Sequence, residues 1–131
     1  METTSYGMSR KVDIGFDEAE AKVRATLKEQ GFGILTEIDV KKTLKDKIDV
    51  DFRRYTILGA CNPKLAHKAL TLEMEIGLMM PCNVIVYEDD EGATRISAID
   101  PMSAMDVVGN DGLKEFASQV QEKLKIAVEA V

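Results

Sequence analysis

Tyr55-Thr56-Ile57-Leu58-Gly59-Ala60-Cys61-Asn62-Pro63 changes character at its end, and that change decides the fold. From Phe52 to Cys61 the residues suit a strand whose centre, Thr56 to Ala60, presents apolar groups on both faces. A half-solvated strand would alternate more cleanly, so both faces of this one are expected to be largely covered. Asn62 then suits an N-cap and Pro63 the first helical position. The helix they open is expected to run to about Glu75, burying Leu65, Ala69, Leu72 and Ile76 before Gly77 ends it.

Toward the N-terminus, Tyr6, Met8 and Val12 alternate as in a short strand. A helix is expected to start at Phe16, with Asp17 as cap, Glu20 reaching back and Phe16 as hydrophobic staple. Ala19, Val23, Thr26 and Leu27 form its buried stripe, and Gly31 supplies a left-handed stop. Phe32 to Ile38 reads as a strand, and Asp39 caps a short helix with Val40, Leu44 and Ile48 on one face. Toward the C-terminus, Cys82 to Glu88 and Thr94 to Ile99 make a hairpin across Asp89-Asp90-Glu91-Gly92. A short helical turn, Met102 to Val108, follows Asp100-Pro101, and Gly109 to Gly112 is a loop. The last helix carries Leu113, Phe116, Ala117, Val120, Leu124 and Val128, the strongest amphipathic pattern in the chain.

These elements predict an α+β fold, an antiparallel-rich sheet with helices packed on one face, because each apolar stripe must be buried against another element. The 131 residues suit a single domain, 1–131. Helices on one face leave the other in need of a second layer. A second copy of the chain supplies it, so a homodimer is expected.

Hydrophobic residues at 45% and charged residues at 31% fit a soluble globular protein rather than a disordered one. With no Trp and seven Met, the core is mainly aliphatic and adaptable. The net charge of −6 disfavours binding to phosphate backbones, so no nucleic-acid partner is expected. The basic run from Lys41 to Lys47 is interrupted by Asp46 and reads as a solvated helix face. No apolar stretch approaches the roughly 18 to 20 residues that span a bilayer, and the first ten residues lack a signal-peptide core. A cytoplasmic setting without membrane contact is therefore expected, where two cysteines remain thiols. No phosphate loop, dinucleotide fingerprint, CxxC, HExxH or GxSxG is present, and the identity of any cofactor is left open.

The chemistry-bearing residues cluster instead around the Asn62-capped helix: Cys61, Asn62, His67, Cys82 and Asn83. Cys61 lies just outside the positive end of the helix, where a thiol tends to be more acidic and nucleophilic. A small buried hydrophobe is the competing role for a free cysteine. His67 sits roughly 8 to 9 Å along the helix axis from Cys61, which does not favour direct contact, and a surface histidine is the competing role. Zinc or iron would need three or four ligands. Cys61, His67 and Cys82 with Glu73 or Asp100 are the nominal set, although Glu73 and His67 fall on different lines of the helix. Asn62 and Asn83 also read as backbone cappers.

Gly31 to Val40, Tyr55 to Pro63 with Ala66-His67 and Ala69-Leu70, Ile76-Gly77-Leu78, and Pro81-Cys82-Asn83-Val84 closely resemble the bacterial and archaeal family called domain of unknown function 302. The resemblance covers nearly the whole chain, with a core of about residues 8–129, and Met74 departs from it where relatives often carry proline. It implies a TATA-binding-protein-like two-layer arrangement, often dimeric, and assigns no activity. Three functional expectations stand beside each other. The first is a small-molecule or ion-binding module with a pocket lined by Cys61, Asn62, His67, Cys82 and Asn83. The second is a thiol-dependent redox enzyme or sulfur carrier, with Cys61 as catalytic nucleophile and Cys82 as resolving thiol. The third is a structural homodimer without catalysis.

Overall fold

A computed structural model describes all 131 residues. Six strands form one sheet: β1 (Glu2–Thr3), β2 (Gly7–Val12), β3 (Gly33–Asp39), β4 (Tyr55–Cys61), β5 (Cys82–Glu88) and β6 (Thr94–Ile99). Their order is β1-β2-β6-β5-β4-β3, and every pairing is antiparallel. The helices are α1 (Phe16–Glu29), α2 (Val40–Ile48), α3 (Pro63–Leu72), α4 (Pro101–Val108) and α5 (Lys114–Glu129). The α+β class with an antiparallel sheet is as the sequence predicts. No helix is long and apolar enough to cross a membrane.

Strand alternation sends one set of side chains to the helices. Met8, Val12, Leu58, Ala60, Val84, Val86, Ile96 and Ala98 are buried there against Ala19, Val23 and Leu27 of α1 and Val120, Leu124 and Val128 of α5. Each such side chain of Val or Leu size contributes about 1.5 to 3 kcal/mol by leaving water. The other set forms cross-strand rows on the opposite face. One row runs Ile38, Ile57, Ile85, Ser97, Ser9, Glu2, and the next runs Tyr55, Tyr87, Arg95, Lys11. None of the side chains in these rows is buried, so in a single chain the two-faced cover expected for β4 is realised on one face only.

Several local expectations need correction. Helix α1 begins at Phe16 with Gly15 as N-cap and no side-chain cap, so the Asp17–Glu20 capping box does not form. Phe16 is buried within the first turn, and Arg54 stacks over its ring at 4.1 Å while binding Asp17 at 2.5 Å. Helix α3 ends at Leu72, where Glu73 turns extended, and Met74–Met79 forms a separate 3-10 turn. Ile76 is buried in that turn, whereas Leu72 is half exposed and Gly77 terminates nothing. Strand β3 is an edge strand with a bulge at Leu35, which leaves that residue 67% exposed. The two-residue β1 carries no periodic signal and exists by pairing with Met8 and Ser9. Gly31, at φ +86°, is the left-handed stop the sequence predicts.

Candidate functional site

The register of β4 and β5 sets Ala60 opposite Cys82, so the two cysteines arrive at the same end of adjacent central strands. Asn62 turns the chain from β4 into α3, its Oδ1 accepting the Leu65 backbone N–H at 3.3 Å. Pro81 leads into β5 on the other side. Cys61, Asn62 and Cys82 thereby line one hollow between the strand ends and the helices. Leu65 and Ala66 of α3, Met79 and Met80 before Pro81, and Ala104 and Met105 of α4 wall it, with Phe116 and Val120 of α5 behind. Its interior volume is about 30 Å³, the room of one water molecule or one metal ion.

Both cysteines are free and partly exposed. Burial pushes the Cys82 thiol up to about 11, and the nearby Cys61 thiol adds to the effect. At neutral pH Cys82 is therefore a protonated thiol and a poor nucleophile.

Two of the five expected pocket residues lie elsewhere. His67 is exposed on α3 and is absent from the lining of the hollow; its carbonyl accepts the Thr71 hydroxyl at 2.8 Å. Asn83, one position after Cys82 on β5, faces the opposite side of the sheet beside Tyr6, Tyr55 and Ile85. No three His, Cys, Asp or Glu side chains come together to share an ion. Glu73 instead accepts from Asn110 Nδ2 at 3.1 Å, and Asp100 caps α4 through the Met102 N–H at 3.0 Å and accepts from Gln121 at 2.9 Å. The zinc or iron set built on His67 with Glu73 or Asp100 is thus not assembled.

The sequence reading missed the methionines. Met79, Met80 and Met105 line the hollow with the two cysteines. A signal was present, since five of the seven methionines fall between Met74 and Met105, but it reads equally as core filling. A larger hollow, of about 380 Å³, lies on the open sheet face, and no local sequence pattern marks it. Tyr6, Tyr55 and Tyr87, the chain's three tyrosines, line it with Ile85 and Ser97.

The family model described as Domain of unknown function DUF302 matches residues 8–131. Among solved structures, the chain is similar to an uncharacterized conserved DUF302 protein from Bacillus stearothermophilus, with 28% identity and a TM-score of 0.89. That match covers 95% of this chain and 96% of the other. No curated protein matches the sequence.

Proposed function

The chain belongs to the DUF302 family, and from that premise we propose that it is a binding module whose site is the hollow at Cys61, Asn62 and Cys82. The observation that carries this reading is the convergence of two thiols and an amide on one cavity with otherwise apolar walls. Its volume of about 30 Å³ favours a single ion or a sulfur species near the size of a water molecule, such as sulfide, over a larger ligand. The thiol-exchange reading has less support, because Cys82 resolves a mixed disulfide only as thiolate and its thiol is pushed up to about 11. Thermal unfolding with sodium sulfide and a series of metal salts tests the reading. A ligand at about a hundred times its Kd adds about 2.7 kcal/mol of stability, a rise of several degrees. Ala66→Leu, which fills the hollow, is expected to abolish that rise; no rise with any compound would sink the proposal.

A homodimer is supported by a different observation, the uncovered sheet face. We infer a TATA-binding-protein-like layering in which that face is the docking surface and a second copy is its occupant. The face is apolar toward β3–β5, with Ile38, Ile57, Ile85, Tyr55 and Tyr87. It becomes polar toward the β1 edge, where Arg95 pairs with Glu2 and Asp89 and Lys11 pairs with Glu91. Such pairing keeps the face nearly neutral in a chain of net charge −6, so two copies can meet there without strong repulsion. Five strands at about 4.8 Å spacing and about 20 Å length, with the two-residue β1 at the edge, offer roughly 500 Å² before side-chain relief. A standard interface needs about 800 Å² per partner, so essentially the whole face must engage.

A further inference from the structure

The following rests on the pocket reading above and names its ligand. We infer that the hollow is a site for a soft monovalent metal ion, Cu(I), held by the sulfur side chains that line it.

Five of the chain's nine sulfur-bearing residues, Cys61, Cys82, Met79, Met80 and Met105, line this single cavity. They come from four separate places: the ends of β4 and β5, the segment before Pro81, and α4. Thiolate and thioether are the soft ligands that select Cu(I), whereas imidazole and carboxylate suit harder or borderline ions. Neither an imidazole nor a carboxylate lines the hollow. The cavity of about 30 Å³ suits a single ion.

Charge balance separates Cu(I) from Zn(II). An uncompensated charge in an apolar pocket is strongly unfavourable. When Cu(I) binds, one thiol forms a sulfur–copper bond and releases its proton to water, and thioethers complete the ligand set without adding charge. The resulting site is neutral, and no electron is transferred. Zn(II) would need both cysteines as thiolates for neutrality and usually completes its tetrahedron with further thiolate, imidazole or carboxylate donors, which thioethers do not replace. Met79 and Met80 are partly exposed, which gives the ion a path from solvent past flexible side chains.

The test is an anaerobic titration of the full chain with Cu(I) in the presence of the chromophoric chelator bicinchoninate. The chain is expected to withdraw one Cu(I) equivalent from the chelator, and to leave Zn(II) with a zinc chelator of matched strength. The double substitution Met80→Leu with Met105→Leu keeps size and apolarity and, because it removes two direct ligands, is expected to weaken Cu(I) binding by more than the roughly 10- to 100-fold that loss of an outer-shell partner costs a metal site. Cys61→Ser with Cys82→Ser should abolish it. Copper left wholly with the chelator overturns the inference, as does uptake that is unchanged by the methionine substitutions, which would mark adventitious thiol binding. Stabilisation by sulfide without copper uptake would defeat Cu(I) and leave the pocket reading standing. Failure of every probe would remove both.

Discussion

Gly59 shows how tightly one backbone position is held. A Cβ there would lie 2.1 Å from Thr36 Oγ1 and 2.7 Å from Pro81 Cγ, and the proline ring has little freedom to retreat. Gly59→Ala is therefore expected to lower unfolding free energy by about 1 to 3 kcal/mol in urea titration. Adding Thr36→Gly should restore only part of it, because Pro81 remains; full recovery would refute the account. Cys82 makes a pH prediction. Its thiol, ordinarily near 9.0, is pushed up to about 11 in the folded chain, so between these values the unfolded state ionises while the folded state does not. The raised folded value means that the contribution is complete below pH 9 and is lost as pH climbs toward 11. The loss amounts to roughly 2 to 3 kcal/mol. Cys82→Ala should remove that part of the alkaline slope, and an unaltered slope would argue that the thiol is not desolvated. Strand alternation, visible in the sequence, already separates Cys82 from Asn83; what no local pattern shows is that Met79, Met80 and Met105 approach the same hollow.

Among the elements, α1 is the one with room for improvement. Its N-cap, Gly15, has extended backbone (φ −70°, ψ 165°), contributes no side chain, and has nothing within 4 Å of a built Cβ. Gly15→Ser supplies the missing acceptor and also restricts the unfolded chain. The expected gain is about 0.5 to 1 kcal/mol, read as a higher urea midpoint with unchanged m-value. An unchanged or lower midpoint would show that the first-turn amides already have partners. The capping box failed as a sequence reading because Phe16 and Asp17 answer to distant groups. The Arg54 guanidinium covers the one and binds the other, which draws both into the first turn. At α3 the apolar spacing continues past Leu72, yet the helix breaks at Glu73 and Ile76 reaches the core from a 3-10 turn. Periodicity registers that Ile76 is buried, not which backbone path carries it there.

For the molecule as a whole, the free sheet face makes the prediction. Sedimentation analysis is expected to show a dimer at high micromolar concentration. Ile85→Lys, at the centre of the outward row, should give a folded monomer, because a desolvated lysine costs several kcal/mol where an isoleucine would be buried. A wild-type monomer, or a mutant dimer of equal strength, would sink the second-copy reading. Local physics was enough for the class and for most elements: short apolar runs, and alternation in β2, mark strands, a 3.6-residue stripe fixes α1 and α5, and Asn62-Pro63 fixes the start of α3. These signals lie within a turn or two of chain, where the sequence alone decides. Strand order, the β1 pairing, the open face, the isolation of His67 and the sulfur-lined hollow depend on contacts between residues tens of positions apart. Only the folded chain decided those, because they arise where separately specified elements compete to cover one another.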